Sequence, residues 1–320
     1  MSRQTLLTIV GIAATCVGLF LLYRVFQKND IGEVIAVIGS VPAGIVGLAL
    51  LLTAASFACI SILEFLAVRY ASQQTGQTVA PGRIAATAVA AIGVGHAIGL
   101  AALSSGAIRY RMYSRVGLKL ITVGKVVAFS GLSVASGYAL VGGTALLWRG
   151  EFLAPLLGIG AAAVHVTAAG ALGSLAGYLL LCAFVRRTLT IRRQRLRLPT
   201  LKLALGQVAF SSANLLCIAA VLYMSLRSFT SADYPAVALL YVGSDMSAVV
   251  GHIPGGWGLL EYIVTSALSG DGQVLSGIVL FRAIYYLFPL LVGLLVFVVD
   301  EIRGRRRAGM ADQPAGAYRA

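Results

Sequence analysis

The sequence predicts an all-α polytopic membrane protein with about six spanning helices and two re-entrant helical hairpins that enter from opposite faces. Composition, the length of the apolar runs and the placement of basic residues lead to this fold class. Hydrophobic residues make up 59% of the 320 residues and charged residues only 11%, and the mean hydropathy is +0.90. Soluble domains do not have such a composition, so lipid is the solvent for most of the chain.

Six continuous apolar runs are long enough to cross a bilayer, since a spanning helix needs about 20 predominantly apolar residues. The first run is followed by Arg24 and Lys28 and lacks a small-residue cleavage site at its end, so we interpret it as a retained helix and not as a signal peptide. The six runs are residues 6–23, 41–68, 120–147, 152–184, 203–226 and 274–299.

Two further apolar stretches, 84–103 and 237–268, do not have the pattern of one uninterrupted helix, because glycine and proline break them. Backbone amides freed at such breaks need partners in the protein or in a water-filled cavity. Each break therefore marks a candidate polar site. The interrupting positions are Gly93, Gly95, Gly99 and the segment 251–256, which reads Gly-His-Ile-Pro-Gly-Gly.

Charge placement predicts the orientation of these stretches. The loop after residue 185 and the C-terminal segment are rich in arginine and should both be cytoplasmic. Helix 203–226 then leads outward and 274–299 leads back, so the broken stretch between them enters from outside and returns there. If 84–103 enters from the cytoplasm in the same way, both termini and most remaining basic residues are cytoplasmic. We therefore expect one transmembrane domain over 1–302 and a basic, disordered cytoplasmic tail over 303–320.

The two broken stretches also resemble each other. Val94-Gly-His96 and Val250-Gly-His252 are each followed by a glycine three residues after the histidine. Opposed half-membrane hairpins with such breaks are typical of inverted-repeat transporters, whose sites lie near the bilayer midplane. An inverted repeat is one interpretation, and a chance match of a short motif is the other. A helix N-terminus at such a break would bind an anionic group such as a phosphate.

Ionisable residues at bilayer depth are costly and are therefore candidate site residues. Asp245, His252 and Glu261 flank the Pro-Gly-Gly break of the second stretch, and Arg282 is the expected counter-charge of Glu261 or Asp245. The alternative is a structural ion pair that fixes the hairpin to the last helix. Glu64 lies near a helix end, and two interpretations are equally open. Its side chain extends toward water and anchors the helix end, or it belongs to a functional site.

A second group of candidates follows the first broken stretch. Arg109 and Arg111 could bind a phosphate through two hydrogen bonds each, the small residues before them let a head group approach the backbone, and Tyr113 suits the membrane interface. The alternative is an ordinary basic loop beside the membrane. The candidate lipid-binding set is His96, Ser105, Gly106, Arg109, Arg111, Tyr113, Asp245, His252, Pro254, Gly255, Gly256, Glu261 and Arg282.

A resemblance to a known family is carried by two segments: 99–114, which reads Gly-Leu-Ala-Ala-Leu-Ser-Ser-Gly-Ala-Ile-Arg-Tyr-Arg-Met-Tyr-Ser, and 251–261, which reads Gly-His-Ile-Pro-Gly-Gly-Trp-Gly-Leu-Leu-Glu. Both are similar to the membrane domain of bacterial lysyl-phosphatidylglycerol synthase/flippases. The resemblance implies a bacterial inner-membrane protein that moves aminoacylated or anionic phosphatidylglycerol between leaflets. The family's soluble synthase domain is not expected here, so the resemblance implies translocation by a stand-alone membrane domain, with phospholipids and a separately encoded synthase as partners.

Two other functions stay open at this point. An intramembrane lipid-modifying enzyme could use His96 or His252 as base and Asp245 or Glu261 as acid, although no nucleophile or metal motif supports it. A membrane scaffold for a separate synthase is the third reading. We predict no catalytic residue, metal or cofactor. The net charge of +14 fits anionic lipid rather than nucleic acid, and homo-oligomerisation stays open.

Overall fold

The computed structural model describes most of the chain as a bundle of helices. The described residues are 36–37, 39–73, 76–98, 101–157, 160–185, 188–191, 194–250, 258–268 and 272–311. In chain order the helices are α1 Ala43–Ser72, α2 Pro81–Ile98, α3 Ala101–Ser114, α4 Leu120–Leu157, α5 Ala161–Phe184, α6 Leu201–Leu226, α7 Tyr234–Val250, α8 Leu259–Ala267, α9 Gly272–Arg282 and α10 Phe288–Ala311.

Five of the described helical segments are long and apolar enough to cross a membrane. They are residues 43–72, 120–150, 161–184, 201–226 and 273–304, so five of the predicted apolar runs contain a helix of spanning length. The run 6–23 lies outside the described residues. Helix α10 continues to Ala311, inside the segment 303–320 that we expected to be a disordered tail.

The run 152–184 is not one helix. The backbone leaves helical geometry at Arg149 (φ −136°, ψ 18°), so α4 bends there and continues to Leu157 before α5 starts at Ala161. The fold class also needs one correction. Two short antiparallel strands, β1 Thr188–Ile191 and β2 Gln194–Arg197, lie between α5 and α6, where threonine and isoleucine favour an extended backbone.

Helices α2 and α3 form an antiparallel pair whose outer ends lie together. The Arg83 guanidinium, near the start of α2, donates a 2.6 Å hydrogen bond to the carbonyl of Met112, near the end of α3. The predicted break is confirmed between Ile98 and Ala101, but Gly93 and Gly95 lie inside α2 and do not interrupt it. Gly93 instead allows close packing: a Cβ there would collide with the Pro289 carbonyl of α10, as at other small-residue contacts in membranes.

Helices α7 and α8 form the second pair, and the predicted stretch 237–268 is confirmed as two helices. The start of α7 and the end of α8 lie together, since Ala236 and Leu268 line one cavity. The break between the two helices, with His252, Pro254, Gly255 and Gly256, lies outside the described residues.

Helices α9 and α10 are joined by a π-helical segment, Ala283–Leu287, and we call the three together the last helix. Proline at 289 has no N–H to donate, and the Phe288 N–H bonds the Ala283 carbonyl, as a π-helix requires. π-bulges of this kind occur frequently at functional sites. Aromatic rings fill the core around this segment: Phe281 and Tyr285 stack with centroids 5.7 Å apart, and Tyr241 meets Phe281 edge-on at 6.0 Å.

The last helix connects the two pairs at opposite ends. Gly277 of α9 packs against Ser225 and Phe229 at the end of α6, where α7 begins. Asp300 of α10 instead contacts Arg83, at the start of α2. The open ends of the α2–α3 pair and of the α7–α8 pair therefore lie at opposite ends of this helix.

Candidate functional site

The α2–α3 pair is fixed to the last helix by a cluster of three arginines and two acids. Arg111 contacts Glu301 at 2.7 Å and Arg115 contacts Asp300 at 2.6 Å. Arg83 also binds Asp300, and Arg115 also binds Glu301. Each of these side chains is between 11% and 21% exposed, so the cluster is largely shielded from solvent. These ion pairs connect α2 and α3 to α10.

A second ion pair lies deeper, between α1 and α3. Arg109 donates hydrogen bonds from Nε (3.0 Å) and Nη2 (2.8 Å) to the Glu64 carboxylate, and the Tyr113 hydroxyl donates to the same carboxylate at 2.9 Å. Glu64 is 1% exposed and Arg109 3%. Burial, and after it the Glu64 carboxylate, raise the pKa of the Tyr113 hydroxyl, which therefore stays a hydrogen-bond donor.

These contacts change the interpretation of the first candidate group. In this conformation Arg109 and Arg111 do not form an open phosphate site, because both guanidiniums are bound by carboxylates; that they bind a lipid head group stays a prediction. The anchoring alternative for Glu64 is wrong as well, because its carboxylate is buried. Ser105 is buried, so its side chain does not face an open space, and a Cβ added at Gly106 would lie 3.7 Å from Val127.

His96 lies in α2, and its side chain is outside the described part of the chain.

The ion pair predicted for the second pair of helices is confirmed. Arg282 contacts Glu261 through Nε to Oε1 at 2.6 Å and Nη2 to Oε2 at 2.9 Å, so Glu261 and not Asp245 is its counter-charge. Glu261 also accepts the backbone N–H of Gly258 at 2.9 Å, and Gly258 has φ 85°, which glycine adopts without strain. The Arg282 guanidinium lies 5.6 Å from the centroid of the Tyr286 ring. Glu261 thus caps α8 and holds it to the last helix.

Asp245 lies on α7 in a different environment. Its carboxylate accepts a hydrogen bond from the Tyr138 hydroxyl of α4. Tyr285 and Tyr286 of the π segment interact with it electrostatically. Asp245 therefore faces phenols where the other candidate acid, Glu261, faces a guanidinium.

A line of small polar groups continues from this region along α6. Ser56 donates to Asn214 at 2.7 Å and contacts the Tyr285 hydroxyl at 3.2 Å, and Gln207 donates to Ser133 at 3.0 Å. These residues are not among the predicted site residues. The sequence pattern does indicate a polar helix face, however, because positions 207, 211 and 214 of α6 are polar at spacings of four and three.

A surface cavity of about 340 Å³ lies at the open end of the α7–α8 pair. Arg149, at the bend of α4, binds Asp233 across it. Both side chains are 45% exposed, so this ion pair is accessible to water. The cavity is lined by Arg149, Thr230, Ser231, Ala232, Asp233, Ala236, Ala267 and Leu268.

Comparison with known proteins places the chain in a family. Its residues 8–293 match the family described as the lysylphosphatidylglycerol synthase TM region. The chain is 30% identical over 203 residues to "Inner membrane protein YbhN" of Escherichia coli K12, covering 62% of this chain and 63% of that protein. It is 26% identical over 200 residues to "Uncharacterized protein slr0712" of Synechocystis, covering 62% of each. The match to each of these relatives covers somewhat less than two thirds of that relative's length. Because the family match extends over most of the sequence, the chain is a membrane protein that belongs to the lysylphosphatidylglycerol synthase transmembrane-region family.

Proposed function

We propose that this protein moves an anionic or aminoacylated phosphatidylglycerol between the leaflets of a bacterial inner membrane without changing it chemically. The observation that carries the proposal is the pair of helical hairpins whose open ends lie at opposite ends of the last helix. Each is joined to that helix by arginine–carboxylate contacts. The name of the matched family supports a lipid substrate.

In this proposal α2–α3 and α7–α8 are re-entrant. The first enters from the cytoplasm and the second from outside, six helices span the bilayer, and both termini are cytoplasmic. Opposed hairpins of this kind form a site at mid-depth in inverted-repeat transporters. Each half-open hairpin would shelter a charged head group for part of its path, where hydrocarbon alone would make the crossing costly.

The site we propose for the head group is the Glu261–Arg282 pair at the start of α8. A phosphate resembles the Glu261 carboxylate as a bidentate acceptor for arginine, so it can replace Glu261 on Arg282. The released N-terminus of α8 adds backbone N–H groups that also favour an anion. We place Arg111 and its Glu301 partner at the cytoplasmic entry, where the same exchange would receive the lipid.

The test measures lipid movement in proteoliposomes that contain fluorescent phosphatidylglycerol or its lysyl ester. A hydrogen bond to a charged group contributes about 1.5–3 kcal/mol, so Arg282→Gln should slow the movement by about tenfold to a hundredfold. The exposed Arg69 of α1 provides the control, and Arg69→Gln should retain the normal rate. Size-exclusion profiles in detergent check that both variants are folded.

Two results would contradict the proposal in different ways. A new lipid species found by mass spectrometry after incubation with mixed lipids would favour an intramembrane enzyme. Co-purification of a synthase without any lipid movement would favour a scaffold. Equal rates for the wild type and Arg282→Gln would refute the site while leaving lipid transport in place.

A further inference from the structure

Asp245 differs from the other acidic side chains that the structure describes. In the described parts of the chain it contacts no lysine, arginine or histidine within ion-pair distance. The acids that do contact an arginine are Glu64, Asp233, Glu261, Asp300 and Glu301.

The groups around Asp245 come from several helical elements. Tyr138 of α4 donates its hydroxyl to the carboxylate. Tyr285 and Tyr286 of the π segment interact with it electrostatically, and Tyr286 also hydrogen-bonds Tyr241 of α7. The remaining titratable groups near this cluster are Cys217 of α6, next to Tyr285, and the Glu261–Arg282 pair, next to Tyr286.

The guanidinium that interacts with Tyr286, that of Arg282, is already paired with a carboxylate. Arg282 gives two hydrogen bonds to Glu261 and lies over the Tyr286 ring. The ionised Asp245 carboxylate is half-buried and has one neutral phenol donor and no cation of its own among the described residues. A charge that is partly removed from water without a partner is costly, and adding a proton removes the charge without requiring any space.

We propose that Asp245 is a proton-binding site and that its protonation is coupled to the lipid movement proposed above, on which this coupling rests. One carboxylate oxygen takes up a proton from water on one side of the membrane and becomes a neutral acid. The neutral acid is a weaker acceptor for the Tyr138 hydroxyl than the carboxylate, so α7 is held less firmly to α4. When the α7–α8 hairpin packs firmly against α4 again, the acid releases the proton to water on the other side of the membrane.

The proton site is tested by infrared spectroscopy on the reconstituted full-length protein, without added lipid substrate. Lowering the pH should produce a carbonyl band of a protonated carboxylic acid that Asp245→Asn lacks. Asp233→Asn is the control and should keep that band, because Asp233 is paired with Arg149. Tyr138→Phe removes a hydrogen bond to the ionised form, so the midpoint of the band should rise by about one pH unit or more. An identical pH-dependent spectrum for the wild type and Asp245→Asn would overturn the site.

The coupling is tested in proteoliposomes with an imposed pH gradient. For one proton per lipid, the leaflet ratio of labelled phosphatidylglycerol should rise by up to about tenfold per pH unit in the wild type. Asp245→Asn should lose this response. Wild-type movement that ignores the gradient would overturn the coupling and leave the proposed function standing. A wild type that moves no lipid under any gradient would overturn the proposed function and the coupling together, and the infrared band alone would then decide the proton site.

Discussion

Replacing Arg109 by methionine leaves the Glu64 carboxylate buried between α1 and α3 without its cation. Three Arg109–Glu64 hydrogen bonds of 2.8–3.0 Å are lost, and among the described residues the Tyr113 hydroxyl is the donor that remains. Methionine keeps the side chain long and apolar, so the change removes charge with little loss of packing. The variant therefore measures the charge pair itself.

The expected loss of folding stability is large because the Arg109–Glu64 pair is buried. Removing one partner of a buried ion pair costs about 3–5 kcal/mol, since the other charge is left uncompensated. The Arg149–Asp233 pair, whose side chains are 45% exposed, is the internal comparison. For such exposed pairs the contribution is about 0–1 kcal/mol, so Arg149→Gln should change the stability very little.

The measurement is unfolding in mixed detergent micelles, followed by circular dichroism, for Arg109→Met, Glu64→Gln and the double variant. Glu64→Gln removes the charge that Arg109→Met would leave behind, so the double variant should be more stable than the sum of the two single losses predicts. A double-mutant cycle gives this coupling energy directly. If the two losses are additive within about 0.5 kcal/mol, the buried pair does not stabilise the fold and the reasoning is refuted.

Two further predictions concern packing and orientation. Gly93→Ala should lower the free energy of unfolding by about 1–3 kcal/mol, because its Cβ would collide with the Pro289 carbonyl. Gly170 has open space around it, so Gly170→Ala should be neutral or slightly stabilising. Equal effects of the two substitutions in thermal unfolding would contradict the close contact at Gly93. In a cysteine-free background, Val116→Cys should react with an impermeant maleimide only from the cytoplasm and Ser231→Cys only from outside, and labelling of both from one face would contradict the opposed hairpins.

Hydropathy predicted the spanning helices because lipid requires both length and apolarity of any segment that crosses it. It did not locate the helix ends equally well. The run 152–184 is continuous in composition, yet α4 ends inside it at Leu157 and α5 starts at Ala161. The bend of α4 lies just before this run, at Arg149, whose side chain binds Asp233. That contact joins residues far apart in the sequence, and composition does not contain it.

The role of Gly93 shows a similar limit. A glycine in an apolar stretch can break a helix or let another helix approach, and the sequence pattern is the same in both cases. The structure assigns Gly93 to the second role, because the Pro289 carbonyl of α10 occupies the space of its missing Cβ. The choice depends on the packing partner.

The ion pairs were predicted to different degrees. Arg282 and Glu261 are rare charges in neighbouring apolar segments, so their pairing could be inferred from cost alone. Arg109 and Glu64 are also charged, but the positive-inside rule accounts for an arginine at position 109 and a nearby helix end accounts for a glutamate at position 64. The sequence therefore did not require an ion-pair partner for either residue. Only the packing of α3 against α1 places the Arg109 guanidinium on the Glu64 carboxylate.

The last helix also has a mechanical consequence. Arg282 and Asp300 are its contacts with the two hairpins, and eighteen residues separate them. At a rise of about 1.5 Å per residue this is about 27 Å, close to the thickness of the hydrocarbon layer. The two hairpins are therefore attached to the same helix about one hydrocarbon thickness apart. A tilt of this helix displaces both attachments at once, so we expect loosening of one attachment to be accompanied by tightening of the other.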